Sequence, residues 1–381
     1  MLEQVLDDAG LARRPTTAYV SRSALEANVR LVRERIGRGR SIMAVVKANA
    51  YGHGLVPASR TLLELGVERL GVAFLEEGIA LRRAGITAPI LVLGGLIGNQ
   101  ARHFIEHDLE ITAASPLKVR QLDQAARLAG RRARVHLLFD TGMERFGVHW
   151  DNAELLYNQV RASSFIDVVG VLSHLAQAEA LDPAFTQLQR ARFEAVWAAR
   201  GALPGDREPM AHLANSAGVL LHGDSLLYDM VRPGLALYGI GPRGPFPGLR
   251  PALRLETRVA YFKVVRAGSP VSYDGTWAPV VDTRVVTLPV GYGDGYLRSL
   301  SNRAQVVLRG RRHPVVGRVT MDATMVDIGP EGTGYNGDPV LLIGRQGEAE
   351  VRVEELAKWA DTIPYEILTA ISARVPRVYV D

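Results

Sequence analysis

The stretch 41–74, SIMAVVKANAYGHGLVPASRTLLELGVERLGVAF, decides the fold. Residues 41–47 (SIMAVVK) are a continuous apolar run closed by a lysine, the pattern of a strand covered on both faces. Residues 55–65 then read as a helix and 70–74 as a second strand. A further helix over 75–84 follows, with Glu76 and Glu77 in its first turn and Gly85 just past its end. The same alternation continues outward, with strands predicted at 89–93, 109–113, 134–139, 168–172 and 210–213. Helical periodicity separates most of them, most plainly over 183–200. Adding 18–20 brings the strand candidates to about eight, the number that closes a (β/α)8 barrel of the TIM type rather than leaving an open doubly wound sheet.

Beyond about residue 240 the texture changes. Residues 241–251 (GPRGPFPGLRP) have the Pro/Gly content of a linker. Short apolar runs at 256–265, 282–289, 305–308, 315–320, 324–328 and 339–343 follow, separated by turn clusters and interrupted by a helical pattern at 352–361. The expected fold class is α/β plus β. A barrel spans 1–245, with residues 1–15 packing on the β part, and a mainly-β domain spans 246–381.

Composition narrows the function. Of 381 residues, 47% are hydrophobic and 22% charged, enough to bury a large core and inconsistent with wholesale disorder. Lys and Arg number 45 against 40 Asp and Glu, a net +5 scattered along the chain as small groups such as Arg82-Arg83 and Arg311-Arg312. A nucleic-acid footprint needs a stripe or cluster, so none is expected. Cysteine is absent, which removes disulfides, thiol nucleophiles and cysteine-held metals. No apolar run reaches the length of a membrane span. The first fourteen residues carry Glu3, Asp7 and Asp8 where a signal peptide needs positive charge. A cytoplasmic protein with no metal site and no membrane or nucleic-acid partner is the expectation.

The densest chemical signal is 44–54, AVVKANAYGHG. Lys47 ends a buried strand, and in a βα barrel the C-terminal strand ends form the active-site rim. Partial desolvation there lowers an amine's pKa and frees it as nucleophile or base. A snorkelling strand-end lysine is the commoner case taken alone. The glycine-rich turn behind Lys47, suited to close backbone approach to a ligand, favours the functional reading. A second element is VRPGLALYG (231–239), in which a Pro-Gly turn constrains Arg232. Upstream, AHLANSAG (211–218) places His212, Asn215 and Ser216 at a strand end, where hydroxyl and backbone donors suit a phosphate and a helix cap equally. In the β region, VSYDGTW (271–277) sets Tyr273 beside a glycine turn, and GYGDGY (291–296) and GRVTMDATMVD (317–327) are weaker signals.

As an ordered series, AVVKANAYGHG, DTGMERFG, LSHLA, HLANSAG, VRPGLALYG, VSYDGTW, GYGDGY, GRVTMDATMVDI and ARVPR resemble the alanine racemases, pyridoxal phosphate enzymes built of a barrel and a β domain. The resemblance covers about residues 16 to 380. It implies that Lys47 holds pyridoxal 5'-phosphate through a Schiff base and acts as one catalytic base. Tyr273, reaching in from the β domain of a second subunit, is the other. Arg232 would donate to the pyridine nitrogen with His212 orienting it, and His174 would link Tyr273 to Arg232. Tyr51, Asn215, Ser216 and the backbone at Gly234 and Leu235 would hold the phosphate. Arg145, Met321 and Asp322 would bind substrate, and Tyr292 would line the entrance. The implied protein is a cytoplasmic homodimer with shared active sites that supplies D-alanine as a peptidoglycan precursor.

The two-base scheme fits the reaction, because racemisation removes a proton from one face of Cα and returns one to the other. Lysine and tyrosine both have ordinary pKa values near ~10 and must be tuned downward to act near neutrality. Three departures from the family pattern stand out. Leu138 replaces a lysine, often carbamylated, that braces the substrate-binding arginine. Ala373 replaces a tyrosine near the phosphate, and Thr320 replaces a cysteine. The extra room at Ala373 makes a broader serine and alanine racemase the alternative. A decarboxylase of the same barrel would call for a cysteine and an acidic partner to the pyridine nitrogen. A small cofactor-carrier barrel would lack the β domain.

Overall fold

In the computed structural model, which describes residues 14–381, the chain divides into two units. One comprises 25–50 and 55–250, and the other comprises 14–24, 51–54 and 251–381 of the described residues. The expectation that residues 1–15 pack with the β part falls, for 1–13, outside the described residues.

Strand β1 (Thr17–Ser21) belongs to the β unit. It pairs antiparallel with β11 (Leu253–Arg258) and parallel with the final strand, β19 (Arg377–Val380). The predicted barrel strand at 18–20 is therefore corrected. Its sequence, TAYVS, alternates half-buried and buried positions, the period-two pattern of a sheet with two unlike faces.

The barrel strands are β2 (Ser41–Val45), β3 (Arg69–Val72), β4 (Ile90–Val92), β5 (Glu110–Ala113), β6 (Ala133–Asp140), β8 (Ile166–Leu172), β9 (Met210–His212) and β10 (Met230–Val231). The short β7 (Val148–His149) lies on the edge of β6. The eight pair in parallel from β10 through β2 to β9. The amides of Asp229 and Arg232 close the ring by donating to the carbonyls of Ala211 and Ala214. The eighth strand, β10, is only two residues long and runs into Arg232-Pro233-Gly234, too brief to register as an apolar run.

Between strands, helices carry legible boundaries. The helix Pro116–Ala129 has Ser115 as N-cap, proline in its first turn, and Gly130 at φ 62° as a left-handed stop. Met43, Leu91 and Met230 form a buried layer with Leu93 and Met210 against it. Asn28 anchors the linker, donating to the carbonyls of Leu237 (3.0 Å) and Arg250 (2.8 Å) and accepting from the Arg250 amide at 2.8 Å.

In the β unit, β14 (Gln305–Leu308), β15 (Arg311–Pro314), β17 (Pro339–Gln346) and β18 (Ala349–Val351) extend the sheet of β1, β11 and β19. A second sheet holds β12 (Tyr261–Val265), β13 (Thr283–Leu288) and β16 (Thr324–Gly329). The run predicted at 256–265 is two strands in different sheets. The strand predicted at 315–320 is irregular chain apart from a single bridge from Val315 to Val326. Gly317, at φ 70° with its Cα 's open side against the Val271 carbonyl, turns the chain there, while Val315, Val316 and Val319 stay buried. The helix Val353–Ala360 matches the predicted pattern, and a second helix, Pro364–Ala370, follows it.

Asn28→Ala strands two carbonyls and one amide at the linker, so it should cost about 2 kcal/mol. A lowered urea midpoint with unchanged slope is the expected readout.

Candidate active site

Lys47 lies two residues past the end of β2 and opens a left-handed turn. Ala48, Asn49, Ala50 and Tyr51 have φ between 51° and 56°, a conformation that costs L-residues roughly 1–2 kcal/mol each. Three contacts within the barrel unit hold it. The Ala48 amide donates to Glu77 Oε1 at 2.6 Å, the Leu55 amide to Asn49 Oδ1 at 2.7 Å, and the Ala50 amide to the Val46 carbonyl at 2.8 Å. Glu77 also accepts from the amides of Ala73 and Phe74, so one carboxylate ties the lysine turn to the end of β3. Strain held this way at a strand end marks a functional position. Burial, then the positive charge of Arg145, lowers the Lys47 pKa from its ordinary 10.5, against a smaller opposing pull from Glu77.

Gly52 lies just behind the turn. In the β unit, a Cβ on Gly52 would collide with the Leu368 carbonyl, and the Gly52 carbonyl accepts from Arg377 Nε at 2.9 Å. The His53 carbonyl accepts from the Tyr379 hydroxyl at 3.1 Å. The close approach that glycine permits there is to the chain's own backbone. Tyr51 is buried, with its ring 6.0 Å from that of Tyr365.

Arg232 is 4% exposed. Its Nη1 donates to His212 Nδ1 (2.9 Å) and the His212 carbonyl (2.7 Å). Its Nη2 donates to the carbonyls of Ser173 (2.7 Å) and Leu213 (3.3 Å) and approaches His174 Nδ1 at 3.4 Å. Its Nε makes no hydrogen bond among the described residues. Burial lowers its pKa to about 10, still cationic at neutrality. The half-buried His174 is driven down to about 3 by burial and by Arg232, Arg145 and Lys47, so it is a neutral imidazole.

Ser216 Oγ accepts from the amides of Gly234 (2.9 Å) and Ala236 (3.2 Å), which leaves its own hydrogen to give. Asn215 caps the short helix Ser216–Leu221 through the Gly218 amide, and Leu235 is buried beside Gly234. Arg145 makes no side-chain hydrogen bond among the described residues; its guanidinium lies 5.9 Å from the Phe146 ring centroid. With Leu138 in place of a lysine, the backbone anchors it. Asp140 accepts from the amides of Gly142, Met143 and Arg145.

The β unit contributes its own group. Tyr273, 72% exposed, sits on a tight turn flanked by Ser272 and Asp274, both with positive φ. The turn is fixed by Ser272 Oγ donating to the Arg318 carbonyl (2.8 Å) and by Arg318 Nε donating to Asp274 (3.3 Å). The amides of Tyr292 and Gly293 donate to the carbonyls of Thr320 and Met321. Asp322 pairs with Arg374 at 2.6 Å. Tyr292, Met321 and Asp322 thus share one patch, and the segment 317–322 backs both it and the Tyr273 turn. Lys47 and Tyr273 lie in different units. Sequence reading missed Glu77, Arg374, and the buried Glu110 and His136. A histidine inside the apolar strand 134–139 was the available signal for the last.

Two family models cover this geometry. They are the alanine racemase N-terminal domain, over residues 20–242, and its C-terminal domain, over 252–379. The chain belongs to the alanine racemase family. It is 46% identical over 372 residues to the alanine racemase of Symbiobacterium thermophilum, covering 96% of this chain and 97% of the relative. It is 45% identical to that of Geobacter sulfurreducens, covering 97% and 98%. Among solved structures, the Bacillus anthracis alanine racemase with bound L-Ala-P matches with TM-score 0.90, 36% identity and coverage of 98% and 96%. The Bartonella henselae alanine racemase with covalently bound pyridoxal phosphate matches with TM-score 0.87, 29% identity and coverage of 96% and 99%. Among the described residues no helix is long and apolar enough to cross a membrane.

Because Arg145 helps to lower the Lys47 pKa, Arg145→Gln should move it upward. In protein freed of bound aldehyde, the pH midpoint for acylation of Lys47, followed by peptide mass, should lie below 10.5 and rise in the variant.

Proposed function

We propose that the protein interconverts L- and D-alanine with pyridoxal 5'-phosphate as cofactor, acting as a cytoplasmic homodimer with shared active sites. The observation that carries the reading is the donor set of the barrel unit in a chain of this family. It has an amine with a lowered pKa at a strand end, a buried arginine with its Nε–H unclaimed, and a serine hydroxyl with its hydrogen to spare. These groups suit the aldehyde, ring nitrogen and phosphate of the cofactor in turn. Lys47 would hold the aldehyde carbon and Arg232, oriented by His212, the ring nitrogen. Tyr51, Asn215, Ser216, Gly234 and Leu235 would hold the phosphate. The covalently bound pyridoxal phosphate of the Bartonella henselae relative supports the choice.

When bound, the cofactor supplies the electron sink that lets the α-hydrogen of alanine leave as a proton. The chain's residues supply the rest. Lys47 Nζ takes or gives that proton on one face of Cα, which its lowered pKa favours near neutral pH. The Tyr273 hydroxyl, contributed by a second subunit, serves the other face. Neutral His174 accepts a hydrogen bond and can orient that phenol without adding charge. Arg232 gives a hydrogen bond to the ring nitrogen but keeps its proton, since its pKa remains near 10. Arg145, Met321 and Asp322 would bind substrate, with Tyr292 at the entrance.

Borohydride reduction of the purified protein should fix a pyridoxyl group on the peptide containing Lys47. A label on another lysine, or none, would refute the cofactor assignment. Tyr273→Phe should slow α-proton exchange by about 10²–10⁴-fold from one alanine enantiomer and far less from the other. Equal losses in single-turnover exchange would exclude a one-face role for the phenol.

A further inference from the structure

Behind His212 and Arg232 the barrel interior holds a polar chain whose other members, Arg69, Glu110 and His136, the reaction scheme above does not use. Arg69, the first residue of β3, gives two hydrogen bonds from Nη1 to the Glu110 carboxylate, at 2.9 and 2.7 Å. Glu110, the first residue of β5, faces His136 Nε2 at 3.0 Å. His136 Nδ1 lies 2.9 Å from His212 Nε2, the two rings being nearly perpendicular. His212 Nδ1 meets Arg232 at 2.9 Å. Glu110 is 2% exposed and both imidazoles are 0% exposed. The chain runs from strand starts at one end of the barrel to Arg232 beyond the strand end at the other.

The two ends fix the protons between them. A guanidinium can only donate, so His212 Nδ1 must be bare. A carboxylate can only accept, so His136 Nε2 must carry hydrogen. One arrangement then remains for the middle link, with His212 Nε2–H donating to His136 Nδ1. Burial raises the Glu110 pKa, but the hydrogen bond from His136 and the hydrogen bonds and charge of Arg69 outweigh it and hold the carboxyl below its ordinary value. Burial keeps both histidines below the ordinary value and hence neutral. Space for the link comes from Gly170 on β8, whose register partner is His136. A Cβ there would collide with His136 Nδ1 and come within 2.9 Å of His212 Nε2. Burying such a set is expensive compared with packing apolar side chains, so stability alone is a poor reason for it.

We propose that Glu110 and His136 are positioning residues that lock His212 as its Nε2–H tautomer, which commits an Arg232 Nη1 hydrogen to His212 and leaves Nε–H aimed for the cofactor ring. The inference rests on the cofactor reading for its use of Nε. The tautomer lock itself does not depend on that reading.

The test uses the full-length holoenzyme labelled with nitrogen-15 histidine, only nine residues in this chain, and reads the protonation of each ring nitrogen by NMR. In the wild type, residues 136 and 212 should each show a bare Nδ1 and a protonated Nε2 from pH 7 to 9. A protonated Nδ1 on either ring overturns the proposal. In Glu110→Gln, where an amide can donate as well as accept, this single pattern should be lost at His136 and His212; an unchanged pattern overturns the role of Glu110. If that variant does not fold, His136→Leu should abolish the single tautomer at His212 and His136→Gln, which can relay acceptor to donor, should restore it. The same His212 tautomer in both would overturn the role of His136. Borohydride labelling away from Lys47 with the nitrogen pattern intact would defeat the cofactor reading and spare the lock. The reverse result would defeat the lock alone.

Discussion

A guanidinium sealed from water must have its N–H groups aimed at acceptors, and the barrel is organised around meeting that demand for Arg232. Three carbonyls from the ends of β8 and β9 and the loops after them, with two imidazole nitrogens, take up Nη1 and Nη2. The carbonyl and ring nitrogen of His212 grip the same Nη1, so the plane of the guanidinium is set from two directions. Everything assigned to the ring-binding end of the site follows from that fixed plane. Move it and Nε no longer points where the neighbouring groups leave it open.

The opposite end of the site depends on strain held by a carboxylate. Four consecutive residues in the left-handed region would relax unless their amides had fixed partners, and Glu77 supplies the first of these from the first turn of the helix after β3. The same carboxylate accepts from Ala73 and Phe74, so the turn after β2 and the end of β3 are positioned together. Lys47 is thereby held half-buried near a second cation, which lowers its pKa by two mechanisms at once.

Much of this was legible in the residues. The apolar runs, the acidic first turn and Gly85 stop of the helix at 75–84, and the Pro/Gly stretch at 241–251 report local physics, and local physics is what a sequence displays directly. Strand membership was less accessible. TAYVS and MV both end in strands, yet the first joins the β sheet and the second joins the barrel, because pairing partners more than 180 residues away decide it. Glu77 and Glu110 look like surface charges in one dimension. Only the fold reveals that one caps a strained turn and the other is buried against Arg69 and His136.

Residue order alone showed that a lysine comes at the end of a buried apolar run, that an arginine precedes a Pro-Gly turn, and that the ordered motifs resemble those of a barrel with a β domain. These facts depend on neighbours along the chain and on residue type. Which hydrogen each polar group gives, and to whom, was settled by the folded arrangement. Whether a histidine nitrogen is bare or protonated depends on partners brought together from different strands, and no spacing along the chain encodes that.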